Sequence, residues 1–384
     1  MREYRFIFTY GFALFGMFFG AGNLVFPLKV GQMAGEYWIW EFLGLAMTGV
    51  ILPFFGLFVI KLHKGDYYSF FGGAGSLVKF LLPLFALSLM GSFGGMPRCI
   101  TVAYGGIHYI FPKLPINVFS LIFCGIIFFV CLKEQRMINM IGKWLTPILL
   151  IFFTTLTILG IIHVKELKEV SSIAPSRLFL DGLIMGYQTM DLLAAFFFSS
   201  FIFTQMRKAL PPEISDTDAI RMAIKSSILA VLLLIGVYAG MAFLGANFAR
   251  LIENVKPASM LVTIANHIMG NYAALFVSIT MIIACFTTIV ALNNIYAQYL
   301  CSLFKLGQKH FKLVLLVTTA ITFLLSLFDF DGIARFLVPV LEISYPSLIA
   351  LTIVGIFVRK QTKIKVILFY GVLVITLLYK FIMK

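Results

Sequence analysis

Charged residues are scarce in this sequence, and acidic residues are the scarcest. Only 12% of the 384 residues are charged, with 16 Asp and Glu against 30 Lys and Arg, whereas 61% are hydrophobic. Soluble globular domains carry about 25% charged and roughly 45–50% apolar residues. A water-soluble enzyme of this length could not bury so many apolar side chains, so the composition predicts a polytopic membrane protein.

Cysteine is also sparse, and its spacing disfavours two kinds of site. The five cysteines lie in apolar runs without a CxxC pair, and they are Cys99, Cys124, Cys131, Cys285 and Cys301. We therefore expect buried thiols rather than a disulfide framework or a metal site. The sequence also lacks an H-E-x-x-H motif, a P-loop and repeated filter loops, which disfavours an intramembrane enzyme, an ATP-driven pump and a channel.

Apolar runs of membrane-spanning length fill the chain. A transmembrane helix needs about 20 mainly apolar residues, and this template predicts eleven spans at 6–31, 38–60, 80–110, 116–132, 145–163, 180–206, 224–248, 272–304, 313–328, 333–358 and 364–381. The third and eighth spans are long enough to be strongly tilted or to protrude. The longest connection, 207–223, predicts a surface loop with a short amphipathic helix. No linker divides the chain, so residues 1–384 form one transmembrane domain.

The basic residues predict the orientation of these spans. Alternate connections carry 19 of the 30 Lys and Arg, the remaining connections carry 10, and Arg98 lies within a span. Cytoplasmic loops are enriched in Lys and Arg, so the N-terminus is predicted to be cytoplasmic in a multi-pass protein of the cell (inner) membrane. Because the basic residues lie in short loops rather than in one stripe, nucleic-acid binding is not indicated.

The first span contains a polar interruption at mid-membrane depth. Gly20, Ala21, Gly22 and Asn23 divide it before Pro27. Small residues also serve helix packing in membranes, but Pro27 cannot donate to the Asn23 carbonyl, and a mid-membrane Asn needs partners. We predict a broken helix here.

The sixth span has a similar interruption. Gly186, Tyr187, Gln188, Thr189 and Asp191 form a polar cluster near its centre. Asp191 is costly at that depth unless it is paired or hydrated, and its position suits the N-terminus of a second half-helix. Two interpretations stay open, a structural cap on a kinked helix and direct contact with a substrate.

Spans 1 and 6 are five spans apart, which predicts an internal repeat. A repeat of five spans is odd, so its second copy is inverted in the membrane, and interrupted spans in corresponding positions indicate a transporter binding site. The predicted fold is therefore all-α, with a five-plus-five inverted repeat over 6–163 and 180–358 and an extra C-terminal helix at 364–381. Half-helix N-termini can bind an anionic carboxylate, and unwound carbonyls can coordinate a cation.

The opening segment GFALFGMFFGAGNLVFP closely resembles the corresponding motif of the branched-chain amino acid:cation symporters, the BrnQ-type carriers of the amino acid-polyamine-organocation superfamily. MPRCITVAYGG in span 3, TMDLLAAFFFSS in span 6 and ACFTTIVALNN in span 8 are also similar. The resemblance runs from about Gly11 to span 11, although the family usually has twelve spans. It implies a leucine-transporter-like fold that imports leucine, isoleucine and valine, with methionine as a further candidate.

The resemblance also implies a coupling-ion site and a substrate site. In the sodium-coupled members of the superfamily a cation lies between spans 1 and 8, which here implies the carbonyls of Gly16, Phe19 and Ala284 and the hydroxyls of Thr287 and Thr288. The substrate carboxylate would meet the amides of Ala21, Gly22 and Asn23, and the ammonium would meet Gly186, Tyr187, Gln188 and Thr189. The candidates for the apolar pocket are Phe18, Phe93 and Met190. No cofactor other than the coupling ion is expected.

Charged residues inside spans are candidates for gating or coupling. Arg98 either snorkels to the outer interface or pairs with Asp191 as an outer gate. Glu342, between Pro339 and Pro346, is either a proton-coupling or gating carboxylate or a buried hydrogen-bonding group. Because Asp191 and Glu342 are carboxylates that could carry a proton, H⁺ stays an alternative to Na⁺ as the coupling ion. The alternatives to a sodium-coupled carrier are a proton-coupled transporter of another small amino acid or amine and a non-transport intramembrane protein.

Overall fold

A computed structural model describes residues 2–132, 140–164, 173–358 and 362–382, and all the regular structure in these ranges is helical. The helices are α1 Arg2–Phe18, α2 Ala21–Ala34, α3 Trp38–Ala46, α4 Leu52–Leu62, α5 Tyr67–Gly72, α6 Ser76–Met90, α7 Gly95–Ile110, α8 Ile116–Cys131, α9 Thr146–His163, α10 Pro175–Gln188, α11 Asp191–Ala209, α12 Asp216–Asn247, α13 Ala249–Ile252, α14 Met260–Met269, α15 Asn271–Leu303, α16 Phe311–Leu325, α17 Phe330–Phe357 and α18 Thr362–Ile382. Short π-helical turns precede α4 and α9, at Met47–Ile51 and Ile141–Leu145. The predicted all-α class is confirmed.

Length and composition of the helices fit a multi-pass membrane protein. Among the described residues, 7 helical segments are long and apolar enough to cross a membrane, or up to 8 if the bent pair α10 and α11 is one span. The outer surface carries large apolar side chains that are more than half exposed, such as Phe129, Ile151, Ile162 and Phe357. Such an extensive apolar surface is what lipid contact requires. The count of eleven spans stays a prediction.

The third predicted span is two helices rather than one tilted helix. α6 ends at Met90 and α7 begins at Gly95, with a turn at 91–94 between them. A side chain at Gly95 would overlap the carbonyl oxygen of Met90, so the glycines of GSFGG permit this turn. The turn places α7 against α2 and α15, which brings the middle of the third span to the protein interior.

The eighth span and the connection before the seventh also refine the prediction. α15 is one helix of 33 residues, about 50 Å at a rise of 1.5 Å per residue, so it exceeds the hydrocarbon core as expected. The prediction of a separate short amphipathic helix in 207–223 is wrong, because the residues at both ends of this connection belong to the adjoining helices. α11 continues to Ala209 and α12 begins at Asp216, and the Ser215 hydroxyl caps α12 by accepting from the Asp218 amide at 3.1 Å.

Ion pairs join connections that the charge pattern places on one side. Asp216 lies 3.1 Å from the Lys64 ammonium and 3.4 Å from the Arg207 guanidinium. The hydrogen bond from Lys64 and its charge lower the pKa of Asp216. Lys29 and Asp331, both predicted near the opposite side, approach to 3.9 Å.

Several of the basic residues used for the orientation lie outside the described residues: Lys133, Arg136, Lys165, Lys168, Arg359, Lys360 and Lys384.

α3 and α10 pack with their backbones in direct contact. A Cβ on Gly44 would overlap the carbonyl oxygen of Phe179, and a Cβ on Gly182 would overlap that of Glu41. Small residues let membrane helices approach this closely. The contact fixes α10, the first half of the sixth span, against the second span.

This packing predicts a large effect for a single methyl group. Gly182→Ala should lower the free energy of unfolding by about 1–3 kcal/mol, because overpacking forces the two backbones apart. Thermal unfolding in detergent measures the effect. Gly125→Ala in α8 is the matched control, since its added Cβ would have no atom of another helix within 4 Å. An equal unfolding temperature for the two variants would contradict the proposed tight contact.

Candidate functional site

The helix of the first predicted span is interrupted between α1 and α2. α1 ends at Phe18 and α2 begins at Ala21. The Gly20 amide donates to the Asn23 side-chain oxygen at 3.3 Å, which satisfies one backbone group of the interruption. Residues 21–23 form the first turn of α2 rather than unwound chain, so the interruption is shorter than predicted.

The sixth predicted span is interrupted between α10 and α11. α10 ends at Gln188 and α11 begins at Asp191, with a bend of 44° between them. Met190 has φ 63°, a left-handed conformation that is strained for a residue with a side chain. The Thr189 hydroxyl donates to the Gly186 carbonyl at 2.9 Å and accepts from the Asp191 amide at 3.3 Å. These bonds hold the bend, and Gly186, Tyr187 and Gln188 remain helical.

A buried hydrogen-bonding cluster joins the two interruptions. The Asp191 carboxylate accepts from the Asn23 side-chain amide at 2.7 Å and from the Tyr238 hydroxyl at 3.0 Å. The Asn23 amide also donates to the Tyr238 oxygen. All three side chains are almost fully buried. Asp191 therefore has its partners inside the protein, as a mid-membrane carboxylate requires.

The two interruptions border one internal cavity of about 40 Å³. A cavity must have a volume of about 10–15 Å³ to hold one buried water. This cavity therefore has room for a few waters and must widen to admit an amino acid. Predicted site residues that line it are Phe18, Ala21, Gly22, Asn23, Arg98, Thr189, Met190, Asp191 and Thr288. Other lining residues, which were not among the predicted site residues, are Met17, Gly20, Met90, Gly95, Cys99, Ala194, Phe198 and Leu292.

Other predicted site residues lie away from this cavity. Phe93 lies in the turn between α6 and α7 and is 44% exposed. The Tyr187 ring packs on Tyr345, with ring centroids 4.9 Å apart, and Gln188 uses its backbone carbonyl to accept from Arg98. Gly186 packs against Thr48. Substrate contact by these residues stays a prediction that needs movement of α10 or of the turn.

Glu342 forms an ion pair at the periphery of the bundle. Its carboxylate bonds the Lys380 ammonium of α18, and both side chains are partly exposed. The pair links α17 to α18 and lies apart from the cavity-lining residues. A coupling role for Glu342 would therefore act at a distance from the two interruptions.

Arg98 is buried, and the expectation that it snorkels to the outer interface is wrong. Its side chain is 2% exposed, and Nη1 donates to the Gln188 carbonyl at 2.9 Å. The guanidinium carbon lies 5.0 Å from the ring centroid of Phe26 and 4.9 Å from that of Phe330. Arg98 thus connects α7 to α2, α10 and α17. A salt bridge to Asp191 is not among those that the described residues form.

Four of the five predicted cation ligands converge where α1 meets α15. The Thr287 hydroxyl lies 2.7 Å from the Gly16 carbonyl oxygen and 2.8 Å from the Ala284 carbonyl oxygen, and its single hydrogen can donate to either. The Thr288 hydroxyl lies 3.3 Å from the Ala284 carbonyl, and Gly20 packs on the Thr288 side chain. Phe19, the fifth, lies in the adjacent interruption, where its ring packs on Phe15 and Phe153.

Sequence reasoning missed Tyr238, which completes the Asp191 cluster. Its signal was a lone hydroxyl in the apolar stretch LLLIGVYAGMAF of α12. Cys99 was named only as a buried thiol, whereas its sulfur accepts from the Ala21 amide at 3.4 Å. All five cysteines are buried free thiols, as expected.

Comparison with known sequences identifies the family. The family described as branched-chain amino acid transport protein matches residues 4–383. The chain belongs to this family. Membership confirms the resemblance seen in the motifs and supports a transporter rather than an enzyme, because the family and its named relatives are transport proteins.

Two relatives illustrate the similarity within this transporter family. The chain is 28% identical over 368 residues to the branched-chain amino acid permease BraB of Bacillus subtilis (strain 168), covering 92% of this chain and 80% of BraB. It is 29% identical over 382 residues to the branched-chain amino acid permease BrnQ of Haemophilus influenzae, covering 94% of this chain and 83% of that protein.

Solved transporter structures share the fold. Mhp1, a nucleobase-cation-symport-1 family transporter, matches with a TM-score of 0.68 at 16% identity, covering 94% of this chain and 80% of Mhp1. A Na⁺-coupled sialic acid symporter matches with a TM-score of 0.62 at 14% identity, covering 92% and 79%. These likenesses show that this transporter has the predicted leucine-transporter-like fold.

The Asp191 cluster predicts the effect of removing one hydroxyl. Tyr238→Phe leaves Asp191 with one donor fewer in the interior, which should lower the free energy of unfolding by about 1–3 kcal/mol. Thermal unfolding in detergent measures the loss, and Tyr379→Phe on the exposed face of α18 is the control. An unchanged unfolding temperature for Tyr238→Phe would show that this hydroxyl does not support the cluster.

Proposed function

We propose that the protein imports branched-chain amino acids together with Na⁺ by alternating access, without a further cofactor. Family membership and the permease names of BraB and BrnQ support the substrate class. The observation that carries the proposal is the meeting of the two interruptions at one cavity, beside the oxygen cluster of α1 and α15. Interrupted helices of this kind form the binding sites of secondary transporters.

In this proposal the amino acid lies between the two interruptions. Its carboxylate meets the N-terminal amides of α2, at Ala21, Gly22 and Asn23. Its ammonium lies toward Thr189, at the end of α10. Phe18 and Met190 line the cavity, as do Phe198 and Leu292, and these side chains contact the branched apolar group. Leucine, isoleucine and valine fit this apolar wall, and methionine is a further candidate.

The coupling ion is proposed to bind at the oxygen cluster of α1 and α15. The Thr287 hydroxyl already lies within 2.8 Å of two carbonyl oxygens, those of Gly16 and Ala284. When the hydroxyl hydrogen turns away, these oxygens present a set of hard ligands of the type that alkali and alkaline-earth cations prefer. Thr288 belongs to both this cluster and the cavity lining, so ion and substrate would share a wall.

The N-terminus is proposed to be cytoplasmic in the cell membrane. The excess of Lys and Arg on one set of connections supports this orientation. The ion pairs agree with the grouping of the connections on which the orientation rests, because Asp216 joins Lys64 and Arg207, whereas Lys29 pairs with Asp331. Cysteine substitutions at Lys64 and Asp331, labelled from either side of the membrane, test the orientation.

Transport itself is tested with purified protein in liposomes. Labelled leucine should accumulate against its gradient when Na⁺ is high outside, and a pH gradient alone should not drive it. Accumulation driven by H⁺ alone would replace Na⁺ by proton coupling. An absence of concentrative uptake under either gradient would contradict the proposal of a symporter.

The coupling-ion site predicts a selective effect of two threonines. Thr287→Val and Thr288→Ala should raise the Na⁺ concentration for half-maximal uptake about tenfold or more, since each removes a ligand oxygen. Thr352→Val in α17 is the control, because that hydroxyl only bonds the Leu348 carbonyl of its own helix. The measurement is Na⁺-dependent leucine uptake. Unchanged Na⁺ activation in both variants would exclude α15 from the ion site.

A further inference from the structure

The Arg98 guanidinium is buried with most of its hydrogen-bonding capacity unused. It has five N–H donors, and Nη1 donates to the Gln188 carbonyl at 2.9 Å. Neither Nε nor Nη2 has a hydrogen-bond partner among the described residues, and the side chain is 2% exposed. An unsatisfied buried donor is costly, so this arrangement points to a ligand that is not part of the protein.

Two aromatic rings fix the orientation of Arg98. Phe26 of α2 and Phe330 of α17 each lie about 5 Å from the guanidinium carbon, at 5.0 and 4.9 Å. Cation–π contacts of this kind stabilise the positive charge, but they provide no hydrogen-bond acceptor for the N–H groups at the edge of the guanidinium. The Asp191 carboxylate does not accept from these N–H groups either, because it accepts from Asn23 and Tyr238 instead. The planar group is therefore held in place with free donors at its edge.

These donors face the start of α2. Arg98 and Gly22 line the same cavity, and Nη2 lies 3.4 Å from the point where a Cβ on Gly22 would lie. The first amides of a helix lack intrahelical partners, and the helix dipole makes this end positive. Two sets of positive donors thus converge on one space. A carboxylate matches them, because its two oxygens can accept from a guanidinium edge and from backbone amides together.

We propose that Arg98 binds the α-carboxylate of the transported amino acid, together with the first amides of α2. This inference rests on the proposed function and assigns Arg98 to substrate recognition rather than to a gate closed by Asp191. Asp191 lines the same cavity, so the site offers an acceptor for the ammonium of a zwitterion beside the donors for its carboxylate. Substrates without a free carboxylate are then excluded.

The test compares leucine with leucinol, which has a hydroxymethyl group in place of the carboxylate. In liposomes containing the wild-type protein, unlabelled leucine should compete with labelled leucine, and leucinol should not. Arg98→Lys keeps the charge but loses the planar edge, so the KM for leucine should rise about 10- to 100-fold with kcat changed far less. Arg98→Gln should raise KM further and reduce the preference for leucine over leucinol.

Controls separate this inference from a folding defect and from failure of the proposed function. Arg221→Gln, an exposed arginine beside Asp218, should leave KM unchanged. Thermal unfolding in detergent, with and without leucine, shows whether each Arg98 variant folds and whether leucine still stabilises it. Wild-type leucine uptake with equal competition by leucinol, or an unchanged KM in Arg98→Lys, would overturn the role of Arg98 alone. A folded wild-type protein that neither binds nor transports leucine would overturn both proposals.

Discussion

The hydrogen bonds of the Asp191 carboxylate are the interaction on which the rest of the site depends. In a bilayer, an interrupted helix survives only where its polar groups find partners within the protein or in a water-lined cavity. Asn23 and Tyr238 supply those partners from α2 and α12, and Asp191 itself starts α11. One carboxylate thereby holds the starts of α2 and α11 next to each other, facing one cavity.

Further bonds connect each wall of the cavity to its neighbours. Thr287 ties α15 to the Gly16 carbonyl of α1, and Arg98 ties α7 to the end of α10. Most of these contacts join residues far apart in sequence. The cavity is therefore a product of tertiary packing, and a substrate or ion that enters it must replace bonds the protein now makes with itself.

The sequence was sufficient for the helical class and for the regions where the site lies. Glycine, proline and mid-membrane polar residues have local physical effects, so GAGN and GYQTMD marked both interruptions. Their exact extent could not be predicted, because Asn23 caps α2 and Thr189 braces the bend through bonds that depend on the folded geometry. The partners of Arg98, namely Gln188, Phe26 and Phe330, and the role of Tyr238 were missed for the same reason. Their partners lie on other helices, and no local pattern records which helices become neighbours.

The backbone contact between α3 and α10 has a mechanical consequence. Because no side chains separate the two helices at Gly44 and Gly182, they have no soft layer that could let them slide past each other. We therefore expect them to move as one rigid unit about a pivot near the left-handed Met190. A small tilt of α11 at that pivot would be carried along the second span to its far end, so that rearrangement at the cavity becomes movement at the membrane surface.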